Sequence, residues 1–187
     1  MNRGQVKLLL IAAVFATPVA LSYATYYFWK PAKIGNFGEL LNPPVVLGDF
    51  VVRDEAGKTF AMKALGGKWL ILHSDSGHCE AACLKKLQAM RRVHVALGKN
   101  QERVRRIALI DDGKPRDPTH HDGAEGLVWL DATGSELQKK LPALNGTRNH
   151  IYLVDPLGNL FMRYSVDAEV KGIIKDLERV LKASKIG

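Results

Sequence analysis

Residues 8–29, LLLIAAVFATPVALSYATYYFW, run for roughly 22 positions without a formal charge, enough for a helix to cross about 30 Å of hydrocarbon. A run this long leaves three choices: a membrane anchor, a cleaved leader, or the buried helix of a soluble core. Arg3 and Lys7 precede it with no acidic residue, so the positive-inside tendency places the N-terminus in the cytoplasm, although Lys30 and Lys33 follow on the far side. Tyr26, Tyr27, Phe28 and Trp29 stand where amphipathic rings lodge at the outer headgroup level. Ser22-Tyr23-Ala24 offers the small residues of a signal cleavage site, but the apolar run outlasts a usual signal core and continues through the aromatics. The expectation is a single-pass inner-membrane protein: residues 1–30 as cytoplasmic N-terminus and anchor, bound to the membrane through 8–29, with the remainder in the periplasm.

Residues 31–44 are rich in Pro, Gly and Asn without a clear period, which suits a tether. Residues 45–187 are then one domain of about 140 residues, a comfortable size for a single core. Removing Arg3, Lys7 and Lys30 from the 27 basic residues leaves 24 against 19 acidic ones, a mild excess that gives no nucleic-acid footprint. Two cysteines cannot supply a disulfide framework, a structural zinc site or an iron–sulfur cluster, so they act as a pair. No phosphate-binding Gly loop or hydrolytic triad stands out.

Residues 45–52 and 58–61 flank a turn at Glu55-Ala56-Gly57 and read as a hairpin, and residues 68–73 read as a short buried strand. A helix is expected over 79–97, with Cys83, Leu87, Met90 and Leu97 inward, Lys85, Lys86, Arg91 and Arg92 outward, and Gly98 ending it. Strands at 103–110 and 127–130, a helix at 135–141, a hairpin of 149–154 with 159–164 and a closing helix at 168–182 complete the order β-β-β-α-β-β-α-β-β-α. That order implies an α/β fold, a mixed sheet with helices on both faces.

Ser76-Gly77-His78-Cys79-Glu80-Ala81-Ala82-Cys83 puts Cys79 at the first turn of the expected helix and Cys83 one turn later, both on the same side. The positive helix end favours a thiolate at Cys79. The pair can close a disulfide, or clasp copper with an imidazole completing three-coordination. His73, at the end of a buried strand, and His94, on the long helix, read as hydrogen-bonded bystanders, and His120-His121 as a solvated loop pair.

The sequence resembles the Sco/SenC family, membrane-anchored thioredoxin-fold factors that serve assembly of the copper A site of cytochrome c oxidase. The stretch 47–72 is similar to that family's opening hairpin and first core strand. Gly77-His78-Cys79-Glu80-Ala81-Ala82-Cys83 matches its Thr-His-Cys-Pro-x-x-Cys except at the threonine and the proline. Residues 110–118 resemble its Val-Asp-Pro-x-Arg-Asp-x-Pro, and residues 151–158 its late hairpin. The resemblance implies a thioredoxin-like mixed sheet flanked by helices, with copper as the bound metal and Cys79 and Cys83 as both redox pair and metal ligands. It also implies partners in a copper-containing respiratory oxidase subunit or another copper chaperone.

Two departures stand out. The family's third copper ligand is a histidine in an Asp-His pair about five residues before the late tyrosine, where this chain has Thr147 and no adjacent Asp. His150 is the nearest imidazole and the candidate replacement, provided that the strand begins late or a bulge re-aims the side chain. The region between Pro118 and Trp129 is also shorter than the family's. Besides the assembly factor and copper chaperone, a copper-free thiol–disulfide reductase and a non-catalytic membrane-tethered interaction domain stay open. Turnover as an enzyme is secondary to the first reading.

Overall fold

The computed structural model describes residues 2–28, 35–48, 50–65, 67–117, 119, 126–143 and 146–186. Two compact units emerge, residues 1–35 and 36–187. The first contains one helix, α1 (Arg3–Phe28), with none of its residues buried and Pro18 inside it. It is long and apolar enough to cross a membrane. The Thr17 and Thr25 hydroxyls return hydrogen bonds to the carbonyls of Ala13 and Leu21, so these polar groups are satisfied within the helix.

The second unit is a mixed eight-stranded sheet with helices on both faces. Its strands are β1 (Glu39–Val46), β2 (Val51–Asp54), β3 (Thr59–Ala61), β4 (Trp69–Asp75), β5 (Val104–Ile110), β6 (Leu127–Asp131), β7 (His150–Val154) and β8 (Asn159–Ser165). Across the sheet they lie β1-β8-β7-β4-β5-β6-β2-β3. The helices are α2 (Ala81–Ala96), α3 (Glu136–Lys140) and α4 (Val170–Ala183). Strand β4 is buried along its whole length and central, parallel to β5 and antiparallel to β7.

Strand alternation distributes the core. Leu70, Leu72, Ile107, Leu109 and Tyr152 face one side, where they meet Leu137 of α3. Ile71, Ile151 and Leu153 face the other, packing against Met90 and Val93 of α2 and Ile173, Leu177 and Leu181 of α4. Each such side chain contributes about 1.5–3 kcal/mol by leaving water. The parity of β4 therefore decides what lies under α2: after Ile71 come His73 and Asp75.

Three sequence expectations change. Of the tether assigned to 31–44, residues 31–34 lie outside the described residues, and its second half and the domain start at 45 give way, because Glu39–Val46 is a strand paired with β8. Pro43 and Pro44 suggested a linker, but proline is tolerated on an edge strand, and the register shift between Leu40 and Val45 takes up the extra residues. The preceding turn is fastened too: Asp176 of α4 accepts from the backbone N–H groups of Phe37 and Gly38 at 2.8 and 2.9 Å and from the Tyr164 hydroxyl. Lys86, expected outward, is fully buried. Cys79 precedes α2 rather than opening it, since the helix is capped at Glu80 and begins at Ala81.

Candidate functional site: a buried cysteine pair under the α2 N-terminus

Cys79 and Cys83 form a disulfide with Cα atoms 5.0 Å apart. The link joins the β4–α2 loop to the first turn of α2. Cys79 sits in the left-handed region at φ 46°, its N–H donating to the Ser76 carbonyl at 3.0 Å, so the loop doubles back before the helix starts. Placing Cys79 outside the helix moves the dipole argument to Cys83, which occupies its first turn. Both cysteines are buried against Leu87, Ala108, Ile110 and Trp129, and the Arg116 guanidinium lies over the Trp129 ring at 5.0 Å.

Both cysteines are equally withdrawn from solvent, and Cys83 is the one that borders a cleft. That cleft, of about 250 Å³, is lined also by Asp75, Ser76, His78, Glu80, Ala82, Lys114, Arg148 and Asn149. His78, next to Cys79 in sequence, is exposed at its rim. Gly77 explains one departure from the Sco motif. A Cβ there would fall 2.0 Å from the Lys114 carbonyl oxygen, so the loop after β5 can lie flush against the backbone only because position 77 is glycine. That contact is locked on both sides, by Gly77 N–H to Asp112 Oδ1 at 3.2 Å and Asp117 N–H to the Gly77 carbonyl at 3.1 Å. Burial pushes the Asp112 carboxyl up, but hydrogen bonds from the Ser76 hydroxyl and the Gly77 and Lys114 N–H groups outweigh it and hold the group at about 2.

A polar layer lies beneath the cleft. Lys86 Nζ pairs with Asp75 Oδ2 at 2.6 Å and donates to the carbonyls of Ser74, at 3.1 Å, and Arg148. Burial lowers the Lys86 pKa, and the Asp75 hydrogen bond opposes the shift. Arg148 in turn straddles the Asp111 carboxylate, with Nε 3.1 Å from each oxygen. The 3-10 turn Thr147–Asn149 is thus tied to α2 through its backbone and to the loop after β5 through its side chain.

The described histidines lie in different settings. Strand β7 does begin as late as His150, but the ring takes the Tyr152 side of the sheet, 5.8 Å from that ring between centroids, with Nδ1 3.2 Å from the Gly146 carbonyl. Cys83 lies on the opposite face, and His150 joins no cluster of metal-donor atoms among the described residues. His94 is hydrogen-bonded, through Nε2 to the Gln101 and Val104 carbonyls, as expected. His120 and His121 lie outside the described residues.

His73, expected to be a hydrogen-bonded bystander, is the exception. It is fully buried, and neither ring nitrogen has a hydrogen-bond partner among the described residues. Leaving such groups unsatisfied costs about 1–3 kcal/mol each. Donor atoms of His73, Asp75 and Cys83 all lie within 4.8 Å of one another. The signal was available: alternation from Ile71 puts positions 73 and 75 on one face, and a helix returning after a short loop has to cover that face.

Residues 69–184 match a family described as transmembrane-like, thioredoxin-like, C-terminal domain. The chain belongs to this family. Among solved structures it is similar to yeast Sco1 with copper bound, at 19% identity and TM-score 0.62, covering 75% of this chain and 95% of that one. It is similar also to Bradyrhizobium japonicum ScoI with copper bound, at 24% identity and TM-score 0.54, covering 71% and 97%. A third is BsSco, described through its disulfide switch as a member of the Sco family of cytochrome c oxidase assembly proteins, at 17% identity and TM-score 0.56, covering 73% and 94%. The Sco/SenC resemblance seen in the sequence holds in the fold. No curated protein matches the chain.

Proposed function

We propose that this chain is a membrane-anchored Sco-like factor serving assembly of the copper site of cytochrome c oxidase, with Cys79 and Cys83 as its working dithiol. The observation that carries this reading is the closed Cys79–Cys83 pair at the floor of a solvent-reached cleft on a Sco fold. Residues 8–29 anchor the protein, with the N-terminus in the cytoplasm and the domain in the periplasm. The oxidase copper subunit, or another copper chaperone, is the partner.

Two chemical steps follow from the geometry. In the reduced protein the Cys83 thiolate, at the first turn of α2 and facing the cleft, attacks a client disulfide. One client sulfur leaves as a thiolate and Cys83 is held in a mixed disulfide. The Cys79 thiolate then attacks Cys83 Sγ, closes the intramolecular disulfide and releases the second client thiolate. The client gains two electrons and the domain ends in the oxidised state described above. Reduced again by a periplasmic dithiol, the same two sulfurs hold copper as cargo, because soft thiolates select Cu(I). The Lys86–Asp75 pair and the Arg148–Asp111 pair fix the cleft around them.

The test is copper stoichiometry on the full chain in detergent, with wild type and the Cys79→Ser/Cys83→Ser double variant, each reduced and oxidised. One Cu(I) per reduced wild-type chain, with none on the oxidised protein or the double variant, is the expected result. A metal load that ignores both the redox state and the double substitution overturns the reading.

A further inference from the structure

His73 carries an inference that neither the sequence motif nor the structural relatives supply. Its imidazole is fully buried, both nitrogens are without hydrogen-bond partners among the described residues, and it stands on the α2 side of β4. A neutral imidazole carries one donor and one acceptor, and nearly all such buried groups are paired, so this orphan calls for a partner. The partner group at hand is Cys83 Sγ, within 4.8 Å. Asp75 completes the cluster, but its oxygens are already engaged, Oδ2 by Lys86 at 2.6 Å and Oδ1 by the Ser76 N–H at 2.8 Å. The free donors are therefore one imidazole nitrogen and, once the disulfide is reduced, two sulfurs.

We propose that reduction of Cys79–Cys83 opens a three-coordinate site for Cu(I) in which His73, and not His150, supplies the nitrogen beside the two thiolates. The inference rests on the copper-carrying part of the function proposed above and names its third ligand. The balance is simple: a dithiol reductant donates two electrons and two protons to the disulfide and becomes a disulfide itself. Cu(I) then displaces the two thiol protons and accepts the His73 lone pair, with no change in its own oxidation state. Two thiolates and an imidazole are a donor set that suits copper. Asp75 and Lys86 stay outside the coordination sphere as the charged layer behind it. His150 is excluded by strand parity, since paired residues His73 and Ile151 share a face and His150 takes the other.

The experiment uses the full chain, reduced and anaerobic in detergent, and titrates Cu(I) in competition with a chromophoric Cu(I) chelator. Wild type, His73→Leu, His150→Ala and Cys79→Ser/Cys83→Ser are compared. His73→Leu removes no side-chain hydrogen bond made among the described residues, and a cooperative thermal unfolding transition checks that it folds. The expected result is affinity weakened by about tenfold or more in His73→Leu and unchanged in His150→Ala. X-ray absorption should show two sulfurs and one nitrogen around copper in wild type and loss of the nitrogen in His73→Leu. In wild type, Cu(I) should also shift the ¹⁵N resonances of the His73 ring, a readout that needs no variant. Tight binding that survives His73→Leu with its nitrogen intact, or that is lost in His150→Ala, overturns the assignment of His73 alone. No tight binding by wild type overturns the copper reading with it.

Discussion

Lys86 Nζ lies 2.6 Å from Asp75 Oδ2, and the lysine is wholly withdrawn from solvent. An ammonium taken out of water in this way is tolerated only while its counter-charge and its two carbonyl acceptors stay in place. Asp75→Ala strands the charge and should lower stability by about 3–5 kcal/mol in denaturant unfolding. Adding Lys86→Met removes the stranded charge and should recover most of the loss. Strictly additive costs would show that the two groups do not act as a pair.

Gly77 is the second tight point. Restoring the threonine of the Sco motif, Gly77→Thr, drives a Cβ into the Lys114 carbonyl and has to displace the loop after β5 together with its Asp112 bonds. The variant should lose about 1–3 kcal/mol or more by thermal or denaturant unfolding, with faster hydrogen exchange at Gly77 and Asp117. Wild-type stability would mean that the loop yields freely.

Acid should destabilise the folded domain in two windows. Burial lowers the pKa of His94, opposed by its bonds to the Val104 and Gln101 carbonyls and reinforced by Arg106 and Arg105. Burial likewise lowers that of His150, against the Gly146 carbonyl bond and Glu39 and with Arg163 and Lys86. For both, the unfolded chain takes up protons first, so stability is full above about 6.5 and falls as pH drops below it. Asp112, held at about 2, adds a loss between its unfolded value and that pH. Melting temperature followed from pH 8 to pH 3 checks the sign; a maximum below pH 5 would contradict it.

The architecture was legible because period and punctuation agree: the apolar runs of β4 and β5, the glycine after α2, and the turn at residues 155–158 each announce themselves. The site was legible only in part. Cys79 and Cys83 are close in sequence, so their pairing could be read from spacing, whereas His73 and Lys86 owe their roles to the crossing of β4 by α2. Lys86 sits one residue from exposed Lys85 and looks like its twin; only a carboxylate arriving from strand β4 makes its burial possible. The Pro-rich start of the domain misled for a related reason, because edge pairing with β8 and the Asp176 contacts are both remote in sequence.

The membrane anchoring proposed for residues 8–29 has a simple check. Protein in isolated membranes should resist an alkaline carbonate wash, and its intact mass should include residues 1–24. Release by the wash, or a mass beginning at residue 25, would mean that the apolar segment is a cleaved leader.

If the two sulfurs serve an oxidase, cytochrome c oxidase activity in membranes of cells that lack this protein and carry a plasmid copy depends on both of them. Wild type should restore activity. Cys79→Ser, Cys83→Ser and the double variant should fail equally, at wild-type protein abundance, because neither sulfur works alone. Full restoration by either single variant would contradict the account.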